Sequence, residues 1–130
     1  MTEEKTILVV DDDIDYLFQM ELMLKNMGYN VLKAESQKEG EQILESNRPD
    51  LAIFDLMMET EDSGFVLSYK AKKKYPDMPV IIATAVASER GISFGLNSVE
   101  EKTWIKADAY LEKGVRKEQL QNVIEKLLDK

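Results

Sequence analysis

Short, almost wholly apolar segments alternate with longer segments of helical periodicity along the whole chain. Three of them, "TILVV" (6–10), "LAIF" (51–54) and "VIIAT" (80–84), are rich in β-branched residues and apolar on both faces. This pattern is typical of strands that are buried on both sides, as in parallel sheets covered by helices. The alternation therefore predicts an open, doubly wound α/β domain.

The segments between these strands predict the remaining elements. "NVLKA" (30–34) and "DAYLEK" (108–113) read as two further, more exposed strands. A first helix should follow "DDD" and end at Gly28, a second should open with the capping box of Ser36 and Glu39, and a third should span 63–75. Another capping box, "SVEE" (98–101), predicts a fourth helix, and the final helix carries an apolar stripe at helical spacing: Leu120, Val123, Ile124, Leu127 and Leu128.

Composition excludes several classes of protein. The 130 residues are expected to form one domain, 1–130, with no output domain. A net charge of −8 argues against general nucleic-acid binding, and the absence of Cys and His removes disulfides, thiolate or imidazole metal sites and Ser-His nucleophiles. No basic and apolar leader and no apolar run long enough to cross a bilayer is visible, so we expect a cytoplasmic protein without membrane contact.

Polar side chains follow the predicted strands at their carboxyl ends, where this architecture places ligands. Asp11 and Asp12 follow the first strand, Asp55 follows "LAIF", Thr84 ends "VIIAT", and Lys113 ends the last strand. Each has an ordinary reading as a helix cap, a strand end or a surface residue. Together they predict one cluster of carboxylates, a hydroxyl and an ammonium at a single edge of the sheet.

Crowded carboxylates repel one another unless a cation joins them. Oxygen ligands without Cys or His select a hard ion, and a few carboxylates with waters suit Mg²⁺. Mg²⁺ beside Lys and Thr can hold the oxygens of a phosphoryl group, and a remaining carboxylate can act as the nucleophile that accepts it.

The motifs "ILVVDDD", "LAIFDLMM", "VIIATA" and "AYLEK" resemble those of response regulator receiver domains of two-component signal transduction, over nearly the whole chain. The resemblance implies a flavodoxin-like fold with a five-stranded parallel sheet, order 2-1-3-4-5, and five helices on both faces. It implies that Asp55 is the phosphoacceptor, that Lys113 is its ion-pair partner, and that the Thr84 hydroxyl closes onto the phosphoryl group. It also implies that Tyr110 is the switch aromatic and that Mg²⁺ is held by Asp11, Asp12, Asp55 and the backbone carbonyl of Met57.

The resemblance also identifies two rim positions, Met57 and Val86, which are apolar here and predict slow loss of the phosphoryl group. The chain departs from the family pattern at Gly64, which comes one residue later than usual, and at Gly114, where Pro is typical. The segment 88–106, which contains Trp104, is longer than usual and is a candidate partner-reading face.

The expected function is that of a stand-alone receiver, which is a phosphorylation switch and not an enzyme. Its partners would be a histidine kinase or phosphotransfer protein and a downstream effector protein, with no nucleic acid and with a possible homodimer. Two alternatives stay open: a pseudo-receiver that docks partners without accepting phosphate, and a Mg²⁺-dependent phosphohydrolase of the haloacid-dehalogenase type. The latter family needs a second Asp two residues after the nucleophile, where this chain has Met57. A flavodoxin-like cofactor protein is disfavoured because three aspartates would repel a phosphate.

Overall fold

The structure is a computed structural model that describes residues 4–56, 58, 63–84, 107–114 and 116–128. Met57, Val86, Trp104 and the helix predicted from "SVEE" lie outside the described residues. The rim positions, the metal-ligand role of the Met57 carbonyl and the proposed partner-reading segment therefore stay predictions.

Five strands and four helices make up the described part of the chain. The strands are β1 (Thr6–Val10), β2 (Asn30–Ala34), β3 (Leu51–Asp55), β4 (Val80–Thr84) and β5 (Ala109–Glu112). The helices are α1 (Ile14–Asn26), α2 (Gln37–Ser46), α3 (Ser63–Lys74) and α4 (Lys117–Leu128). The predicted strands and these four helices are confirmed, with boundaries shifted by one residue at most places.

All five strands are parallel and form one sheet in the order β2-β1-β3-β4-β5. This is the order that the sequence resemblance implies, and it confirms the doubly wound fold. The strands β3 and β4 are buried at every residue, whereas the edge strands β2 and β5 are mostly half-buried or exposed. Burial on both faces of the central strands explains why their sequences are continuously apolar.

Two apolar cores cover the two faces of the sheet. On one face α1 and α4 pack on side chains such as Val9, Ile53 and Ala83. On the other face α2 and α3 pack on the alternating neighbours, such as Val10 and Phe54. Side chains alternate between the two faces of a strand, so this alternation sets the face on which the side chains at the ends of β1 and β3 lie.

The helix ends follow their sequence signals. The α1 helix ends in a Schellman arrangement in which Gly28 takes a φ of 98° and the Tyr29 amide donates to the Leu24 carbonyl at 3.0 Å. At α2 the Ser36 hydroxyl accepts from the Glu39 amide at 3.1 Å, as the capping box predicts, while the Glu39 carboxylate accepts from the Glu35 amide. No described helix is long and apolar enough to cross a membrane.

Candidate phosphoryl-transfer site

The sheet brings the predicted acids to one edge because β1 and β3 are neighbours. Asp11 follows β1 and is 1% exposed, and its amide donates to the Ala34 carbonyl of β2 at 3.1 Å. Asp55 is the last residue of β3 and is 6% exposed. Two strand ends, 44 residues apart in sequence, thus supply two buried carboxylates.

The three acids after β1 divide into two roles. The Asp13 carboxylate caps α1, where it accepts from the amides of Asp15 at 3.0 Å and Tyr16 at 3.2 Å. Asp11 and Asp12 remain in a group with Asp55, in which one oxygen of each carboxylate lies within 4.8 Å of the others. Helix capping and ion binding were alternative readings of this triplet, and the structure assigns the cap to Asp13 alone.

This group fits a divalent ion bound by oxygen. Asp11 and Asp55 are buried, while Asp12 is exposed and borders solvent. The Asp13 amide donates to Oδ1 of Asp11 at 2.8 Å. Oδ2 of Asp11 is also buried and, apart from the Lys113 ammonium, has no polar partner among the described residues. An all-carboxylate set of this size, open to water on one side, suits Mg²⁺.

Lys113 lies immediately after β5 and reaches the same acids. Its Nζ atom is 2.7 Å from Oδ2 of Asp11 and 3.3 Å from Oδ1 of Asp55. The Lys113 amide also donates to the Thr84 carbonyl at 3.0 Å, which continues the pairing of β5 with β4 past the end of the strand. The lysine predicted to pair with Asp55 is therefore placed beside it.

Burial and crowding change the ionisation of the site. Burial, together with the neighbouring Asp11 carboxylate, raises the pKa of Asp55 to about 6, although Lys113 opposes both effects. Burial also raises the pKa of Asp11, against the lowering effect of Lys113. Although burial alone would lower the pKa of Lys113, its contacts with Asp11 and Asp55 outweigh this and raise it. Without a cation, one ammonium incompletely compensates the two buried acids.

The two predicted switch residues, Thr84 and Tyr110, lie on the neighbouring strands β4 and β5. Thr84 is the last residue of β4 and is 3% exposed. In the β4–β5 register, Ile82 pairs with Tyr110 and Thr84 pairs with Glu112. Because side chains alternate, Thr84 and Tyr110 project to the same face, one pair of residues apart along the strands. Tyr110 is half-buried, and its role as a switch residue stays a prediction.

Gly64 fits the start of α3 against the backbone at Asp55. Its amide donates to the Leu56 carbonyl at 2.8 Å. The extra residue that the sequence places before Gly64 thus does not prevent α3 from packing directly on the segment that carries Asp55.

The sequence interpretation missed one residue of the site. The Lys113 Nζ atom lies 4.8 Å from the centre of the Tyr16 ring, in the first turn of α1. Tyr16 lies four residues before the buried Met20 of α1, which is the spacing of a core residue and gives no sign of a role in the site. No local signal in the sequence links it to a lysine 97 positions away.

Comparison with known proteins identifies the same family that the sequence motifs resemble. The family model described as "Response regulator receiver domain" matches residues 7–125. Transcriptional regulatory protein GlrR of Escherichia coli is 44% identical over 82 residues, which cover 63% of this chain and 18% of that protein. Regulatory protein VanR of Enterococcus faecium is 34% identical over 110 residues, which cover 85% of this chain and 44% of that protein. The chain spans less than half the length of these relatives.

Solved structures match over nearly the whole chain. A CheY-like response regulator receiver domain protein from Methanospirillum hungatei superposes with a TM-score of 0.80 and 32% identity, covering 98% of this chain and 95% of that one. Response regulator TrrA from Thermotoga maritima, solved in complex with Mg²⁺-BeF, gives a TM-score of 0.79 and 28% identity, covering 95% and 99%.

Proposed function

The chain belongs to the family of response regulator receiver domains, and on that premise we propose that it accepts a phosphoryl group on Asp55. The donor would be a histidine kinase or a phosphotransfer protein of a two-component system. The observation that carries this proposal is the position of Asp55, a buried carboxylate 3.3 Å from a lysine ammonium and grouped with two further acids. A surface strand end would need neither the burial nor these partners.

The transfer itself requires a free carboxylate oxygen and charge compensation. An oxygen of Asp55 attacks the phosphorus of a donor phosphohistidine, a P–O bond forms, and the P–N bond breaks with its electron pair returning to the imidazole. Negative charge spreads over the equatorial phosphoryl oxygens in this reaction. The Lys113 ammonium lies beside the attacking carboxylate, where it stabilises that charge by a preorganised electrostatic contact.

Asp11, Asp12 and Asp55 are the residues that would hold Mg²⁺. Bound there, the ion would neutralise the acids and the phosphoryl oxygens as a Lewis acid. Burial of Asp11 and Asp55 fixes their carboxylates before the ion arrives, and exposure of Asp12 leaves one side open to a donor. The solved complex of TrrA with Mg²⁺-BeF supports the assignment, because that relative shares the fold over nearly the whole chain.

The signal would leave the site through Thr84 and Tyr110. The Thr84 hydroxyl would close onto the new phosphoryl group, and the Tyr110 ring would move into the space that Thr84 vacates on the shared face of the sheet. Such a change in packing alters the β4–β5 side of the domain, where a downstream effector protein could detect it. A histidine kinase or phosphotransfer protein as donor, a protein effector, the cytoplasmic location and a possible homodimer stay predictions.

The proposal is tested with acetyl phosphate as a small-molecule donor. Intact-mass spectrometry should detect one added phosphoryl group in the presence of Mg²⁺ and none with a chelator. Asp55→Asn should remove the labelling, and Asp50→Asn, a change to an exposed acid at the other end of β3, should leave it intact. If the wild type is never labelled, the chain acts as a docking module of receiver fold. Labelling that survives Asp55→Asn would refute the assignment of the acceptor.

A further inference from the structure

Three groups from three parts of the fold surround the Lys113 ammonium. Asp11 contacts it at 2.7 Å, Asp55 at 3.3 Å, and the Tyr16 ring centre lies 4.8 Å away. The first two are charged groups that belong to the proposed phosphoryl-transfer chemistry. Tyr16 has no charge to contribute and requires a separate explanation.

The Tyr16 ring is a rigid support. It is half-buried and packs on the apolar core between the sheet and helices α1 and α4. Its amide is fixed by the Asp13 cap at 3.2 Å. Burial, together with the nearby Asp11 and Asp55 carboxylates, raises the pKa of its hydroxyl to about 12, so the ring stays neutral at physiological pH. A neutral aromatic face attracts a cation without competing for a proton or a metal ion.

The backbone of Lys113 alone does not fix the position of its ammonium group. The Thr84 carbonyl fixes its amide, but the ammonium stands at the end of a flexible four-carbon stem. Gly114 follows it, and among the described residues no atom lies within 4 Å of the position where a Cβ of Gly114 would stand. Gly114 therefore adds no side-chain packing that would help to hold the Lys113 stem.

We propose that Tyr16 is a positioning residue, whose ring holds the Lys113 ammonium beside Asp55 through a cation–π contact. This inference rests on the proposed function. It predicts a specific benefit when Asp11 is engaged by a divalent ion: the shortest ion pair of Lys113 then weakens, while the Tyr16 ring remains as a partner that no ion can take. Tyr16 would thus keep the ammonium directed at the phosphoryl oxygens during transfer.

Two variants separate the ring from the hydroxyl, and a third controls for packing. Tyr16→Phe keeps the aromatic face, and Tyr16→Leu removes it while retaining an apolar side chain. Tyr29→Leu removes a second half-buried tyrosine that packs on the same core but lies at the opposite end of α1. The rate of labelling by acetyl phosphate and Mg²⁺ is measured for all three. In the metal-free proteins, NMR measures the upfield ring-current shift of the Lys113 Cε protons.

We expect Tyr16→Phe to stay within about twofold of the wild-type labelling rate, and Tyr16→Leu to fall about fivefold, as for loss of one partly desolvated cation–π contact. Tyr29→Leu should behave as wild type. The ring-current shift should persist in Tyr16→Phe and vanish in Tyr16→Leu. An unchanged rate in Tyr16→Leu would overturn the proposal, as would an equal fall in Tyr16→Phe or in Tyr29→Leu.

The NMR comparison is independent of phosphorylation. If the wild type accepts no phosphoryl group, the proposed function fails, and the Tyr16–Lys113 contact is then tested by the ring-current shift alone. A shift that is present in wild type and Tyr16→Phe and lost in Tyr16→Leu would uphold the Tyr16–Lys113 contact. A wild-type protein without the shift would overturn it.

Discussion

A Cβ atom added to Gly64 would lie 2.5 Å from the carbonyl oxygen of Asp55 and 2.7 Å from the Cα atom of Leu56. Both neighbours are backbone atoms, which cannot move aside as the end of a flexible side chain can. The first turn of α3 therefore sits directly on the chain segment that carries the proposed phosphoacceptor. Any larger residue at this position must displace either α3 or Asp55.

Gly64→Ala should destabilise the domain and disturb Asp55 although alanine favours helices. Forcing a methyl group against backbone costs about 1–3 kcal/mol of unfolding free energy. Urea unfolding measures this loss, and the labelling rate with acetyl phosphate should fall with it. The matched change is Gly114→Ala, where a Cβ meets no atom within 4 Å in the described part of the chain, and it should be close to neutral. Wild-type stability in Gly64→Ala would contradict the close approach.

Mg²⁺ should stabilise the domain through Asp11, Asp12 and Asp55. A ligand at 100 times its Kd adds about 2.7 kcal/mol to the unfolding free energy, which a thermal melt detects readily. Asp12→Ala should abolish this rise in Tm. Asp13→Ala removes a helix cap, which costs about 1 kcal/mol of unfolding free energy. It should therefore lower the Tm of the metal-free protein yet keep the rise on addition of Mg²⁺. Equal shifts in wild type and Asp12→Ala would place the ion elsewhere.

The stability of the metal-free protein should depend on pH through Asp55. Its pKa is about 6 when folded, against an ordinary value of 3.8, so the folded state binds the proton more tightly. Asp55 therefore costs no stability below pH 3.8, where it is protonated in both states. The unfolding free energy falls as the pH rises from 3.8 to 6, and above pH 6 the full loss of about 3 kcal/mol is reached.

Asp55→Asn removes this cost and should stabilise the chelator-treated protein at pH 7.5 but not at pH 3.5. Urea unfolding of wild type and variant at both values measures the difference. The exposed Asp77→Asn, at the opposite edge of the sheet, provides the control and should change stability little at either value. An Asp55→Asn protein that is no more stable than wild type at pH 7.5 would argue against a destabilising charge on Asp55.

The lifetime of the phosphorylated state is predicted from sequence alone, because Met57 and Val86 lie outside the described residues. Neither side chain can orient a water for attack on an aspartyl phosphate. The double variant Met57→Asn/Val86→Glu should lose its phosphoryl group faster, and a tenfold change would need only about 1.4 kcal/mol of barrier. The decay of intact phosphoprotein mass after removal of the donor measures this rate. Equal decay in both proteins would refute control by these positions.

Local patterns predicted most of the fold because the local and tertiary signals agree. The central strands are buried on both faces, so their sequences are apolar throughout. Gly28 ends a helix because it can adopt a positive φ, and Ser36 starts one because its hydroxyl caps the first turn. The parallel order of the strands then brings Asp11 and Asp55 together. These steps need only periodicity and the rule that ligands lie at the carboxyl ends of strands.

The same local patterns could not predict contacts between distant elements. Within "DDD", periodicity does not tell which acid caps α1 and which two remain for an ion, because all three have the same side chain; only the family resemblance assigned Asp11 and Asp12 to the ion. The Tyr16 ring meets Lys113 only because α1 and the end of β5 lie on the same face of the sheet. Tyr16 has the spacing of a core residue, and its second role follows from the tertiary structure alone.

Chemical mapping of the acceptor tests the proposed function most directly. The protein is treated with acetyl phosphate and Mg²⁺, then reduced with borohydride, which converts an aspartyl phosphate to homoserine, and its peptides are sequenced by mass spectrometry. The proposed transfer to the β3 end predicts homoserine at position 55 and nowhere else, and none when Mg²⁺ is chelated. Homoserine at Asp11, Asp12 or another acid with Asp55 unmodified would contradict it.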